Sequence, residues 1–199
     1  MDLSFRSRET GQVVPAQTNK AGNLLASIVG GKYADAALDG RLFYAANINM
    51  VATSTTLNTT FVGLGICNPS GSGKIAIIHE FGYGHVVAAA AAGILALATT
   101  DDAGFVQDAT ECPVQCTRYG HKTPVCVADE GATITLPVIV KVITQFGTSA
   151  TGTMQPTLQV VDLGGSIVLA PGRAVITDTT TVHGASSAQF SFLWEEIDA

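Results

Sequence analysis

Residues 68–85 read NPSGSGKIAIIHEFGYGH, and their first seven letters admit two incompatible folds. If Asn68–Lys74 were a phosphate-cradling loop, Lys74 would open a helix and the chain would be α/β. If the stretch is a turn, a strand follows and the chain is all-β. A phosphate loop needs Gly, four residues, then Gly-Lys-Ser/Thr. Here Asn68 stands where the first glycine belongs, and Ile75 where the Mg²⁺-binding hydroxyl belongs. Residues 74–87 (KIAIIHEFGYGHVV) also run with the period of a strand, so no helix N-terminus faces an anion. No second strand ending in Asp completes a Mg²⁺ site. The stretch therefore reads as a corner: Asn68 and Ser70 cap backbone groups, Pro69 sets φ, and Gly71 and Gly73 supply positive φ.

Outward from that corner the rhythm stays that of strands. Candidates are 41–47 (RLFYAAN), 61–67 (FVGLGIC), 132–146, 157–161, 166–169, 173–177 and 188–197, with Gly, Pro, Asn or Asp in nearly every gap. The Thr-rich tract 52–60 suits strands and loops and is poor for helix. Roughly eight to ten short strands with almost no amphipathic helix imply an all-β fold, an antiparallel β-sandwich over residues 41–199. In 188–197 (AQFSFLWEEI), Phe190, Phe192 and Trp194 share one face and are expected in the core, while Gln189, Ser191, Leu193 and Glu195 share the other. Residues 86–92 are helical by propensity, but the preceding strand pattern runs into them, so they read as strand end plus turn. Residues 1–40 are polar, carry Pro15 and show no sustained period; they read as an extended N-terminal arm, with one or two short helical turns over 22–40 broken by Gly30-Gly31.

Composition narrows the partners. Charged residues are only 13% of the chain, about half the usual share, and hydrophobic ones 47%. With a mean hydropathy of +0.34, much of the surface is expected to be covered, most simply by another copy of the chain. A formal charge of −6 repels a nucleic-acid backbone, so no nucleic-acid partner is expected. The longest apolar run, 86–98, is shorter than the ~20 residues a membrane helix needs, so no membrane partner is expected either. The N-terminal MDLSFRSRET lacks an apolar secretory core, which implies synthesis in a cytoplasm and cysteines that are thiols or metal ligands by default.

Several stretches resemble chemistry. His79 and His85 in HEFGYGH evoke a zinc-protease helix, but six residues apart on a strand they are separated by about 20 Å. They are expected on one face with Phe81 and Tyr83, as an aromatic-histidine stripe. Cys112, Cys116, His121 and Cys126 form C-x3-C-x4-H-x4-C, which looks like the zinc knuckle of nucleocapsid proteins with one residue inserted between the first two ligands. Three thiolates and an imidazole suit tetrahedral zinc. The inserted residue breaks the tight turn between the first two ligands, so unliganded thiols, or a disulfide formed outside the cell, stay open beside a structural zinc. Asp101-Asp102 and Glu195-Glu196 are neighbours that a strand points to opposite faces, and they read as a solvated turn and an exposed strand end. No nucleophile elbow is present and no catalytic constellation stands out, so no enzymatic activity and no cofactor beyond that zinc are expected.

Four stretches together carry a resemblance: 40–46 (GRLFYAA), 60–74 (TFVGLGICNPSGSGK), 167–175 (IVLAPGRAV) and 190–197 (FSFLWEEI). In this arrangement the chain resembles virion structural proteins of tailed bacteriophages, among them capsid decoration (cement) proteins. The resemblance spans about residues 40–199 and leaves out the cysteine loop. It implies a jelly-roll-like sandwich and a homotrimer on the capsid surface, assembled in the host cytoplasm with the major capsid protein as partner. A head or tail fibre or spike module binding a host receptor or glycan is the alternative expectation. A zinc-stabilised nucleic-acid binder ranks last.

Overall fold

The structure is a computed structural model that describes residues 4–6, 13–15, 32–48, 51, 53, 63–85, 92–108, 111–146, 157–180 and 188–199. The chain divides into two compact units, 1–35 and 36–199. In the first, β1 (Ser4–Arg6) pairs antiparallel with β2 (Val13–Pro15), Phe5 opposite Val14. Among the described residues one short helix is present, α1 (Ala34–Leu38), and the turn after it ends on Gly40, whose positive φ of 66° closes it.

The second unit holds the remaining strands. They are β3 (Leu42–Ala46), β4 (Gly65–Asn68), β5 (Lys74–His85), β6 (Gly93–Asp101), β7 (Phe105–Val106), β8 (Glu111–Cys112), β9 (Gln115–Cys116), β10 (Val127–Asp129), β11 (Thr133–Ile134), β12 (Val138–Phe146), β13 (Thr157–Leu169), β14 (Arg173–Thr179) and β15 (Ala188–Asp198). One sheet has the order β12-β6-β14-β4-β10-β8 and the other β13-β5-β15-β3-β9. Eight principal strands pair first with last: β3 with β15, β4 with β14, β5 with β13 and β6 with β12, all antiparallel. An antiparallel ribbon rolled so that successive pairs fall in alternate sheets is the jelly roll. The sandwich read from the strand rhythm is therefore present.

The main core lies between the sheets. Phe190, Phe192 and Trp194 of β15 are at most 2% exposed, as their alternation implied. Phe81 contacts Phe190 and Phe192 at ring separations of 6.0 and 5.0 Å, and Phe43 stacks on Trp194 at 6.2 Å. Burying each such ring contributes about 2–3 kcal/mol.

Residues 102–137 interrupt the ribbon between β6 and β12 and form an insert. Its β7–β11 pair covers a second apolar cluster on the outer face of the six-stranded sheet, where Phe105, Ala132 and Ile134 pack on Cys67, Ala98 and Ile176. From the same insert, β10 and β8 extend that sheet beyond β4, and β9 extends the other sheet beyond β3. Pro113-Val114 thus carries the chain from one sheet edge to the other, and Val114 packs on the main core. One side of the sandwich is closed in this way. On the opposite side, β12 and β13 are the outermost strands.

Local departures from the sequence reading have physical causes. The stretch 132–146 is two strands, not one, because Leu136 adopts a positive φ of 47° just before Pro137. Residues 157–169 are one strand, whose register jumps from Asp162 opposite Glu80 to Ile167 opposite Ile78. His79 is skipped in the pairing of β5 with both β13 and β15, so it is a bulged residue. One extra residue flips the alternation, and the expected histidine stripe is split: His85 lies inward with Phe81 and Tyr83, whereas His79 meets Glu195. Residues 86–91 and most of 52–60 lie outside the described residues.

Candidate functional site

The Asn68–Lys74 corner joins β4 to β5. Asn68 is fully buried, and its side-chain amide donates to the carbonyls of Lys74 (2.8 Å) and Leu169 (2.9 Å). Its own carbonyl accepts from the Gly172 amide at 2.8 Å, which ties the corner to the Pro171-Gly172 turn between β13 and β14. The Ser72 amide donates to the Pro69 carbonyl, and Gly71 and Gly73 take φ of 75° and 66°, as the turn reading required. Ser70 differs from expectation: its backbone amide donates to Asp102 at 2.9 Å, and hydrogen bonds from Ser70 hold the Asp102 carboxyl below its usual range. Only the tip, Ser70, Gly71 and Gly73, is exposed.

Lys74 begins a strand, and its ammonium pairs with Asp198 near the C-terminus. The Ala199 amide donates to the Gly73 carbonyl, and that of Glu196 to the Arg41 carbonyl. All four motif stretches therefore meet at one end of the sandwich. A cavity of about 110 Å³ opens beside them, lined in part by Arg41, Lys74, Lys122, Glu196 and Asp198. Its cations are matched by carboxylates: Lys74 and then Lys122 hold the Asp198 carboxyl below its usual range, and Arg41 pairs with Asp39 and Glu195. The corner builds neither a phosphate cradle nor an unbalanced positive pocket.

The two C-terminal glutamates point to opposite faces, as expected, but neither is an exposed strand end. Glu195 pairs with Arg41 and lies 3.4 Å from the His79 imidazole on the outer face. Glu196 is 4% exposed, and its carboxylate accepts from the Val125 and Cys126 amides, both at 3.0 Å, and from the Trp194 indole at 3.2 Å. It fastens the insert to the last strand. Buried Asp129 acts similarly, accepting from the Asp108 and Gly131 amides. Asp101 caps the Gly104 amide in the turn after β6.

Cys112 of β8 and Cys116 of β9 sit on edges of different sheets, and with Cys126 they are buried in the main core. His121 is exposed, with its ring over Gly40. Among the described residues no group of three His, Cys, Asp or Glu side chains could hold a metal ion, so the structure does not bring Cys112, Cys116, His121 and Cys126 together as a ligand set. All four cysteines are free thiols. Burial, helped by Asp102, pushes Cys67 up to about 12; burial, then Glu130, pushes Cys112 up to about 12. Burial also raises Cys126, with Glu196 adding to it. These thiols pack as small apolar side chains.

Sequence reasoning missed Glu196 as an anchor, because a carboxylate at the end of a strand carries no local mark of the amides it will meet. It also missed the pair formed by Tyr44 on β3 and Tyr119 in the insert, whose hydroxyls lie 2.7 Å apart with Tyr119 77% exposed. Compared with protein-family models, curated proteins and solved structures, the chain matches none of them.

Proposed function

We propose that the chain is a non-enzymatic structural protein of a tailed-phage virion, a decoration protein that binds the major capsid protein lattice as a homotrimer and stabilises the shell. The observation that carries this reading is the convergence of the four phage-like stretches on one corner of a jelly roll. There the stretches hold one another through backbone and amide hydrogen bonds. The buried Asn68, Asp129 and Glu196 are engaged in fixing backbone, as in a scaffold built for rigid contact. A surface poor in charge favours wide contact with neighbours.

Co-sedimentation with assembled shells tests the reading. Saturable binding, with a rise in the temperature at which shells open, is the expected result. A chain that stays in the supernatant and binds host cells instead would establish the second reading, a receptor- or glycan-binding module. That reading is favoured by the exposed Tyr119 beside Tyr44, an aromatic surface of the kind that stacks on sugars.

A further inference from the structure

The insert carries one exposed turn whose side chains are large, cationic and aromatic. Residues 117–124 read TRYGHKTP and hold Arg118, Tyr119, His121 and Lys122 with no carboxylate among them. The whole chain carries −6, so with the two positive charges of Arg118 and Lys122 set aside the rest carries −8. The His121 amide donates to the Arg118 carbonyl at 3.1 Å and Gly120 takes a φ of 70°. That closes a four-residue turn and brings its ends within about 7 Å. Three contacts pin the turn to its neighbours. Arg118 donates to the Leu38 carbonyl at 2.5 Å, the Tyr119 and Tyr44 hydroxyls are hydrogen-bonded, and the His121 ring fills the space a side chain on Gly40 would need. Tyr119 is nonetheless 77% exposed, and Arg118, His121 and Lys122 are exposed with it. Among the described residues no carboxylate is in an ion pair with Arg118 or Lys122. Asp39 and Glu195 hold Arg41, and Asp198, whose carboxyl also feels Lys122, holds Lys74.

We propose that this turn binds an acidic sugar, with Arg118 and Lys122 on its anionic group and Tyr119 stacked on its ring. The Arg118 guanidinium keeps donors beyond the one spent on Leu38, in the planar fork that matches a carboxylate. The face of an aromatic ring is partly negative and accepts the C–H side of a pyranose. The hydroxyl bond to Tyr44 fixes the Tyr119 ring before a ligand arrives, so little freedom is lost on binding. Charge selects a compact ligand. A nucleic acid or a long acidic peptide reaching past the turn meets the net negative charge of the remaining chain, whereas one or two sugars stay within the field of the turn itself. A peptide also takes a groove or a strand edge, and the nearest edge strand, β9, is two residues long. The inference supplies the receptor-binding reading with residues and a ligand class, and it rests on that reading for its use.

The test is titration calorimetry of the full chain with sialyllactose and with digalacturonate, lactose serving as the neutral control. At least one acidic sugar should bind saturably and about tenfold or more tighter than lactose. Tyr119→Ala and Lys122→Ala should each weaken that binding at least about fivefold. Both side chains are exposed, so far-UV circular dichroism should be unchanged. Lys122→Ala breaks no hydrogen bond or ion pair of the described residues, so its effect reads the ligand alone. Tyr119→Phe removes the bond to Tyr44 but keeps the ring, and it should bind as the wild type does. Failure of both acidic sugars to bind, binding no tighter than lactose, or indifference to Tyr119→Ala and Lys122→Ala overturns the proposal. A tetraglutamate peptide that binds as tightly as the sugars makes the turn an acidic-peptide site and overturns it too. Binding to host cells, measured separately, keeps the two readings apart. Cell binding that survives both substitutions removes this site and leaves the receptor reading, whereas sugar binding without cell binding leaves the site and removes that reading.

Discussion

Asn68 shows how much of this fold hangs on single polar groups. Its amide donates to two carbonyls, that of Lys74 and the buried one of Leu169. Asn68→Ala should lower the unfolding free energy by about 2–3 kcal/mol. Asn68→Asp should cost more, since it turns an oxygen toward both acceptors; urea unfolding that ranked the aspartate variant as the more stable would reverse the assigned amide orientation. His85 makes a pH argument at the same scale. Burial lowers its pKa from 6.5, so the unfolded chain takes up a proton that the folded one resists. The stability gained from keeping it neutral is complete above pH 6.5 and lost as pH falls from 6.5 through the lower folded value. Thermal melts across that window should slope downward toward acid, and His85→Phe should flatten the slope. The thiols give a third expectation. With Cys67 and Cys112 raised to about 12 and Cys116 and Cys126 also buried, a disulfide reagent at pH 8 should label none of them in the native protein and all after denaturation. Fast native labelling would mean that the insert opens.

Elements differ in how far their sequences announce them. In β15, buried and half-buried residues alternate along nearly the whole strand, so its face was readable from period alone. Truncating that face is correspondingly severe: Trp194 is fully buried, stacks on Phe43 and bonds Glu196. Trp194→Ala should cost about 3–5 kcal/mol and prevent stable folding, and a soluble variant with an unchanged melting temperature would contradict its placement. In contrast, β6 escaped the sequence reading. It runs ILALA with Leu95 and Leu97 in the main core and Ala98 under the β7–β11 layer, so both faces are buried and no alternation survives. An apolar run of that kind does not distinguish strand from helix. The bulge at His79 and the short strands β8 and β9 were illegible for another reason, since each exists only through its partner strand. The cysteine spacing left zinc and unliganded thiols both open because local spacing reports reach along the chain, and it carries no mark that Cys112 and Cys116 pair with different sheets.

For the whole molecule, pairing first strand with last sets the order of events. The final strand, β15, is also an interior one, paired with β5 along its full length and with β3 from Ser191 to Glu195. Until residues 188–199 arrive, β3 and β5 lack their shared neighbour, Phe81 loses two of its aromatic contacts, and Val125 and Cys126 lose the carboxylate that anchors the insert. Contacts so distant in sequence must close long loops before they reward the chain, which makes such folds slow and cooperative. A chain ending at residue 187 should therefore not fold to a partial sandwich; near-UV circular dichroism should be lost throughout, and not only in the five-stranded sheet. Adding a peptide of residues 188–199 in trans should restore it, because the vacant groove between β3 and β5 offers hydrogen-bonding edges on both sides and an aromatic core below. If the shortened chain kept native near-UV signal and melting behaviour, β15 would be an accessory to the sandwich and the first-with-last pairing would not be what holds it together.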